Sequence, residues 1–152
     1  MKTILVVEDS RADVRLIREA FNGFADIHVV GDGMEAMDFL QRRGTHAFAP
    51  RPDLIMLDLN LPKLHGHDVL ALIKRDLELR TIPTIILSTS DSHEDTVRSY
   101  RLHANCHIRK PGEWDSFESL VEGINDFWLN AVKLPRHTLG NLLTKLEPAA
   151  GG

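Results

Sequence analysis

Five short apolar runs separated by amphipathic stretches constrain this chain more than any other feature. The runs are Ile4–Val7, Ile27–Val30, Leu54–Leu57, Thr84–Leu87 and Asn105–Ile108. The third and fourth are continuous rather than alternating, as expected of central strands in a parallel sheet covered on both faces. Between the runs, apolar residues recur at helical spacing. Val14, Ile17, Phe21 and Phe24 mark a first helix, and Met37 and Leu40 a second that ends near Gly44. Val69, Leu70 and Ile73 mark a third, and Val97, Tyr100 and Ala104 a fourth. Phe117, Leu120, Val121, Ile124, Phe127, Trp128 and Ala131 form one wide stripe on a fifth. Ser10 and Ser92 are placed to cap the first and fourth helices, and Gly23 suits the end of the first. Five strands alternating with five helices imply an α/β fold of the (βα)5 kind. Right-handed crossovers make it a doubly wound parallel sheet. In such sheets ligands bind beyond the carboxyl ends of the strands, near the switch point in strand order.

Composition excludes several function classes. The chain has 152 residues, enough for one domain with a real core. Its 43% hydrophobic and 26% charged content is that of a folded soluble protein. A formal net charge of −4 gives no bulk electrostatic reason to bind nucleic acid or an anionic membrane. The first apolar run is too short for a signal-peptide core or a membrane span, so a cytoplasmic location is expected. The single cysteine, Cys106, permits neither an intramolecular disulfide nor a cysteine-based zinc cluster.

The strand ends carry the chemistry. Strand one presents Glu8 and Asp9, strand three Asp58 with Asn60 two residues on, strand four Ser88 and Thr89, and strand five Lys110 followed by Pro111. Taken singly these residues are unremarkable. An acidic pair after a strand caps a helix, an aspartate in DLNLP starts a turn, and a lone serine or lysine is a surface residue. Brought to one sheet edge they form a set. Three crowded carboxylates repel unless a cation sits among them, and hard oxygen ligands suit Mg2+ or Mn2+. Lys110 supplies a positive charge and Ser88 a hydroxyl donor for phosphoryl oxygens. That combination suits phosphoryl transfer onto a carboxylate. His65 and His67 flank Gly66, but two histidines without a third ligand are a weak metal site.

The motifs VVEDS, LIMLDLNLPKLHG, ILSTS and HIRKP together resemble the receiver domains of two-component response regulators, over about residues 1–130. The resemblance implies a CheY-like sheet of order 2-1-3-4-5. It implies Asp58 as phosphoacceptor, and a metal held by Glu8, Asp9, Asp58 and the backbone carbonyl of Asn60. Ser88 and Thr89 fall at the phosphoryl-contact position and Lys110 at the family's lysine position. The Lys110–Pro111 bond is expected to be cis, as the family's usually is. His107 stands at the switch position, where the family usually has Tyr or Phe. An imidazole there can swing between exposed and buried rotamers and, as a titratable group, could make the switch pH-sensitive; the alternative reading is a tolerated polar residue at an exposed strand edge. The ED-S-x-x-D opening, the ANC segment and the DFWL of the last helix are similar to small regulators paired with bacterial phytochrome histidine kinases. The partner implied is therefore a histidine kinase, with no separate substrate to turn over.

On this reading residues 1–134 are the receiver and residues 135–152 a short extension, with no room for an output domain. Output then rests on protein–protein contact. Phe127, Trp128 and Leu129, with Leu139, Leu142 and Leu143 of the extension, are expected to form a homodimer surface, the alternative being that the extension folds back and covers them within one chain. Two other readings stand beside this one. A haloacid-dehalogenase-type phosphohydrolase needs an acid–base aspartate two residues after its nucleophile, and Asn60 cannot serve. A scaffold receiver that never accepts phosphate would not need the complete site.

Overall fold

A computed structural model describes residues 1–135 and shows one parallel sheet of five strands in the order β2-β1-β3-β4-β5. The strands are β1 (Thr3–Val7), β2 (Asp26–Val30), β3 (Leu54–Leu57), β4 (Thr84–Ser88) and β5 (Cys106–Arg109). The helices are α1 (Arg11–Phe21), α2 (Gly33–Gln41), α3 (Gly66–Arg75), α4 (His93–Arg101) and α5 (Trp114–Ile124). No helix among the described residues is long and apolar enough to cross a membrane.

Alternation along the strands divides the core into two layers, because successive side chains point to opposite faces. Ile4, Val6, Leu54, Met56, Ile85 and Leu87 meet Ile17 and Phe21 of α1 and Phe117 and Val121 of α5. Leu5, Val7, Ile55, Leu57 and Ile86 meet Met37 and Leu40 of α2 and Val69, Leu70 and Ile73 of α3. The helix starts follow the capping chemistry. The hydroxyls of Ser10 and Ser92 accept from the backbone N–H of Asp13 and Asp95, and the Asp32 carboxylate does the same for α2 through Glu35. α4 is the exception in its packing. It buries no apolar side chain, and Ser99 is its one buried residue.

Three elements differ from the sequence reading. α1 stops at Phe21, followed by Gly23 at φ +85°, which leaves Phe24 outside the helix and 42% exposed. β5 begins at Cys106, not Asn105. The Asn105 side-chain oxygen accepts from the Thr84 N–H at 2.8 Å, so that residue ties off the strand start. The fifth helix runs on from Ile124 as a π-helical turn, Asn125–Ala131, in which the Val132 N–H reaches the Phe127 carbonyl at 2.8 Å. The wider turn resets the helical phase. Leu129 thereby joins Ile124 in the core at 3% exposure, while Phe127 faces out at 57%. Leu129 is thus a core residue, not part of a dimer surface. Lys2 Nζ donates to the Leu129 carbonyl at 2.6 Å and satisfies a group the irregular turn leaves open. Leu139, Leu142 and Leu143 lie outside the described residues.

The start of α3 is pressed against β3. The Gly66 N–H donates to the Leu59 carbonyl at 2.8 Å, and a Cβ at Gly66 would overlap the Asp58 carbonyl oxygen and the Leu59 Cα. Both obstacles are backbone, so neither can swing away. Gly66→Ala is expected to lower stability by about 1–3 kcal/mol, the range for overpacking. Gly31→Ala, where open space surrounds the added methyl, should be close to neutral. Thermal melts of the two variants that coincide would contradict this.

Candidate functional site

The sheet order places the carboxyl ends of β1 and β3 side by side, with β4 and β5 next along the same edge. Glu8 and Asp58 are buried and Asp9 is exposed. One carboxylate oxygen of each of these three residues lies within 4.8 Å of the other two. Asp58 is held by its own turn, with Oδ1 accepting from the Leu59 N–H at 2.8 Å. Glu8 is held likewise, with Oε1 accepting from the Ser10 N–H at 3.0 Å. Lys110 projects from the end of β5 into this set. Its Nζ lies 2.5 Å from Glu8 Oε2, 2.9 Å from Asp13 Oδ2 and 3.6 Å from Asp58 Oδ2.

Burial is the strongest influence on each of these charges. It pushes the Glu8 and Asp58 carboxyls above the usual carboxylate range, and the ammonium of Lys110 opposes this at both. Burial alone would pull Lys110 down. Its hydrogen bonds to Glu8 and Asp13 outweigh that, and its ammonium is held above the ordinary lysine value. The donor set fits a hard divalent cation: three carboxylates, one of them open to solvent, at the edge of a sheet. Among the described residues no other group of three or more His, Cys, Asp or Glu side chains has this spacing.

Ser88 is fully buried at the end of β4, and its Oγ accepts from the Ser90 N–H at 3.2 Å. Thr89 and Asn60 are exposed at the same edge. The Lys110–Pro111 bond is trans, against the expectation of cis. A prolyl bond prefers trans by about 0.5–1 kcal/mol, and Lys110 already reaches Glu8, Asp13 and Asp58 with that geometry. His65 and His67 are not a metal pair. His65 Nδ1 accepts from the His67 N–H at 3.1 Å, and the His67 ring turns inward to Ser99. The sequence reading missed two contributors. Asp13 is a second carboxylate on Lys110, signalled only by its place one turn into α1. Ser99 is joined to both His67 and His107, with no local sequence signal at all.

Residues 4–122 match the family model of the response regulator receiver domain. The chain belongs to that family. Response regulator Rcp1 from Synechocystis sp. is 45% identical over 137 residues, covering 88% of this chain and 93% of that protein. The crystal structure of the Mn2+-bound form of Rcp1 covers 89% of this chain and 99% of its own, with a TM-score of 0.84 at 44% identity. That of the phosphorylated cyanobacterial phytochrome response regulator RcpA covers 88% and 98%, with a TM-score of 0.86 at 48% identity. Membership in the receiver family removes the haloacid-dehalogenase reading. Receiver domains bind a divalent metal, and the cluster of Glu8, Asp9 and Asp58 is a donor set that could hold one.

Removing the lysine should expose how the site is balanced. Lys110→Met leaves Glu8 and Asp58 without their cation, and breaking such a buried arrangement costs about 3 kcal/mol. The melting temperature should fall, and Mg2+ should raise it more in the variant than in the wild type. An unchanged melting temperature would show that Lys110 does not offset these charges.

Proposed function

We propose that Asp58 accepts a phosphoryl group from a histidine kinase, and that the protein signals through a change in its α4–β5–α5 face. The observation that carries this reading is the convergence of Glu8, Asp9, Asp58, Ser88 and Lys110, from four strands, on one edge. A divalent cation bound by Glu8, Asp9, Asp58 and the Asn60 carbonyl supplies charge neutralisation for the incoming phosphoryl oxygens. The chain's own residues do the rest. The Leu59 N–H fixes the Asp58 carboxylate for attack on phosphorus. The aspartyl O–P bond forms as the kinase's phosphohistidine P–N bond breaks, and the departing imidazole takes up a proton. Lys110 lies 3.6 Å from Asp58 and can shift its contact to the added oxygens. Ser88 turns its hydroxyl to the phosphoryl group, giving up the contact with Ser90, with Thr89 at the rim. Movement there is read at His107 on β5. No separate substrate is turned over. A cytoplasmic location goes with this reading, because the kinase's phosphohistidine must reach Asp58.

The partner we favour is a phytochrome-type histidine kinase, on the strength of the likeness to RcpA. We also propose self-association through the end of α5. Phe127 is exposed there and packs edge-on against the half-buried Trp128, beside a groove lined by Ile108, Leu120 and Ile124.

Incubation with acetyl phosphate and Mg2+ should label the wild type with an acid-stable, base-labile group, and Asp58→Asn should abolish the label. Labelling that survives that substitution would assign the phosphoacceptor elsewhere. For association, light scattering should give a dimer mass for the wild type and a monomer mass for Phe127→Lys. A monomeric wild type would remove this surface.

A further inference from the structure

α4 is held to the body of the protein differently from the other four helices. It has no fully buried apolar side chain; Ser99 is fully buried and joins three elements, and the Tyr100 hydroxyl adds a contact by accepting from the His107 N–H at 3.2 Å. Ser99 Oγ lies 2.9 Å from His67 Nε2 on α3, 2.9 Å from His107 Nδ1 on β5, and 3.0 Å from the Asp95 carbonyl one turn back. The hydroxyl has one proton, and the carbonyl can only accept, so the proton goes to Asp95. Both imidazole nitrogens must then donate to Ser99. That fixes two neutral tautomers, His67 with hydrogen on Nε2 and His107 with hydrogen on Nδ1. The opposite nitrogens, His67 Nδ1 and His107 Nε2, are buried and have no hydrogen-bond partner among the described residues. As bare lone pairs they are tolerated. Once protonated, either becomes a charged N–H with no acceptor.

We propose that His67, Ser99 and His107 form a proton-sensitive latch that fixes α4 against α3 and β5 and releases it when an imidazole takes up a proton. The surroundings of the latch resist that proton but do not forbid it. Burial is the main influence on His67, and Arg98 on α4, His65 beside α3 and His107 on β5 act in the same direction, with Asp95 on α4 opposing. His67 is held below the ordinary histidine value by these groups. The unfolded chain therefore binds the proton first, and stability is lost as pH falls from the ordinary histidine value towards that of His67. The backbone adds a connection to the phosphoacceptor. Gly66, the neighbour of His67, is pressed on the Asp58 carbonyl, so the start of α3 touches the backbone of Asp58 at one residue and the latch at the next. The inference goes beyond the phosphoryl reading and stands on the unphosphorylated chain alone.

Hydrogen exchange of the full-length, unphosphorylated protein without divalent cation tests it. Between about pH 8 and pH 5, the span of an imidazole titration, amides of α4 should lose about tenfold in protection after correction for intrinsic rates. Amides of α2 should not. In the double variant His67→Gln with His107→Asn, neutral amide groups replace the two donating nitrogens and cannot titrate. Its α4 should keep protection at both ends of that range. NMR titration of the His67 ring should follow the α4 change in the wild type. An α4 whose protection is independent of pH would overturn the proposal, as would a double variant that loses it as the wild type does. Ser99→Ala offers a second measure: α4 protection should be low at every pH, and wild-type protection there would equally overturn the latch. None of these readouts involves phosphate, so a failure of Asp58 labelling would leave them unchanged.

Discussion

Glu8 and Asp58 are buried side by side where water cannot screen them, and the fold has to supply a positive charge for that edge to exist. Lys110 is that charge at rest, and its contacts with Glu8 and Asp13 tie the end of β5 to the start of α1 across the sheet. A buried ion pair is weak evidence for stability in its own right, since desolvation offsets much of the attraction. Here it has a different consequence. The carboxylates are kept close together and poorly solvated, which is the state in which a divalent cation or a phosphoryl group gains most by arriving. Strand order does the positioning: only an order that sets β1 beside β3 brings Glu8 and Asp9 to Asp58.

The same sheet accommodates a second buried polar group on its other side, with different physics. Around Lys110 the energies are ionic and long-ranged, and the site gives way gradually as charges are added or removed. Around Ser99 they are neutral hydrogen bonds, which are short-ranged and directional. Four helices are secured by apolar area, which changes little with pH. α4 is secured by hydrogen bonds, chief among them the Ser99 hydroxyl shared by two imidazoles, so its attachment responds to protonation states.

Much of this was legible in the sequence because it rests on order along the chain. The strands announce themselves as apolar runs, and the residue just after each run is at the carboxyl edge whatever the details of packing. That is why Glu8, Asp9, Asp58, Ser88 and Lys110 are legible as one set from their places along the chain. What was missed depends on phase or on tertiary approach. The stripe from Phe117 to Ala131 reads as one α-helix, but a single wide turn after Ile124 rotates Leu129 inward and Phe127 outward. Spacing alone cannot report a change of period inside a continuous apolar stripe. The isomer of the Lys110–Pro111 bond was missed because the two forms of a prolyl bond differ by only about 0.5–1 kcal/mol, too little for the local sequence to decide. Ser99 was missed because its partners lie 32 and 8 residues away, on different elements.

Burial of polar groups is the common thread between the site and α4, and it bears on why a receiver should tolerate a helix without an apolar anchor. Apolar packing is non-directional and carries no charge, so a helix held by it alone has no group that responds to a proton. A shared hydroxyl with its one proton committed allows few arrangements. Either both rings donate to it, or the set breaks. Such an element has discrete states separated by the loss of a few hydrogen bonds, which is the property required of a part that must respond to a change of one charge some distance away. The absence of buried apolar residues on α4 is then a requirement of its role rather than a defect of the fold.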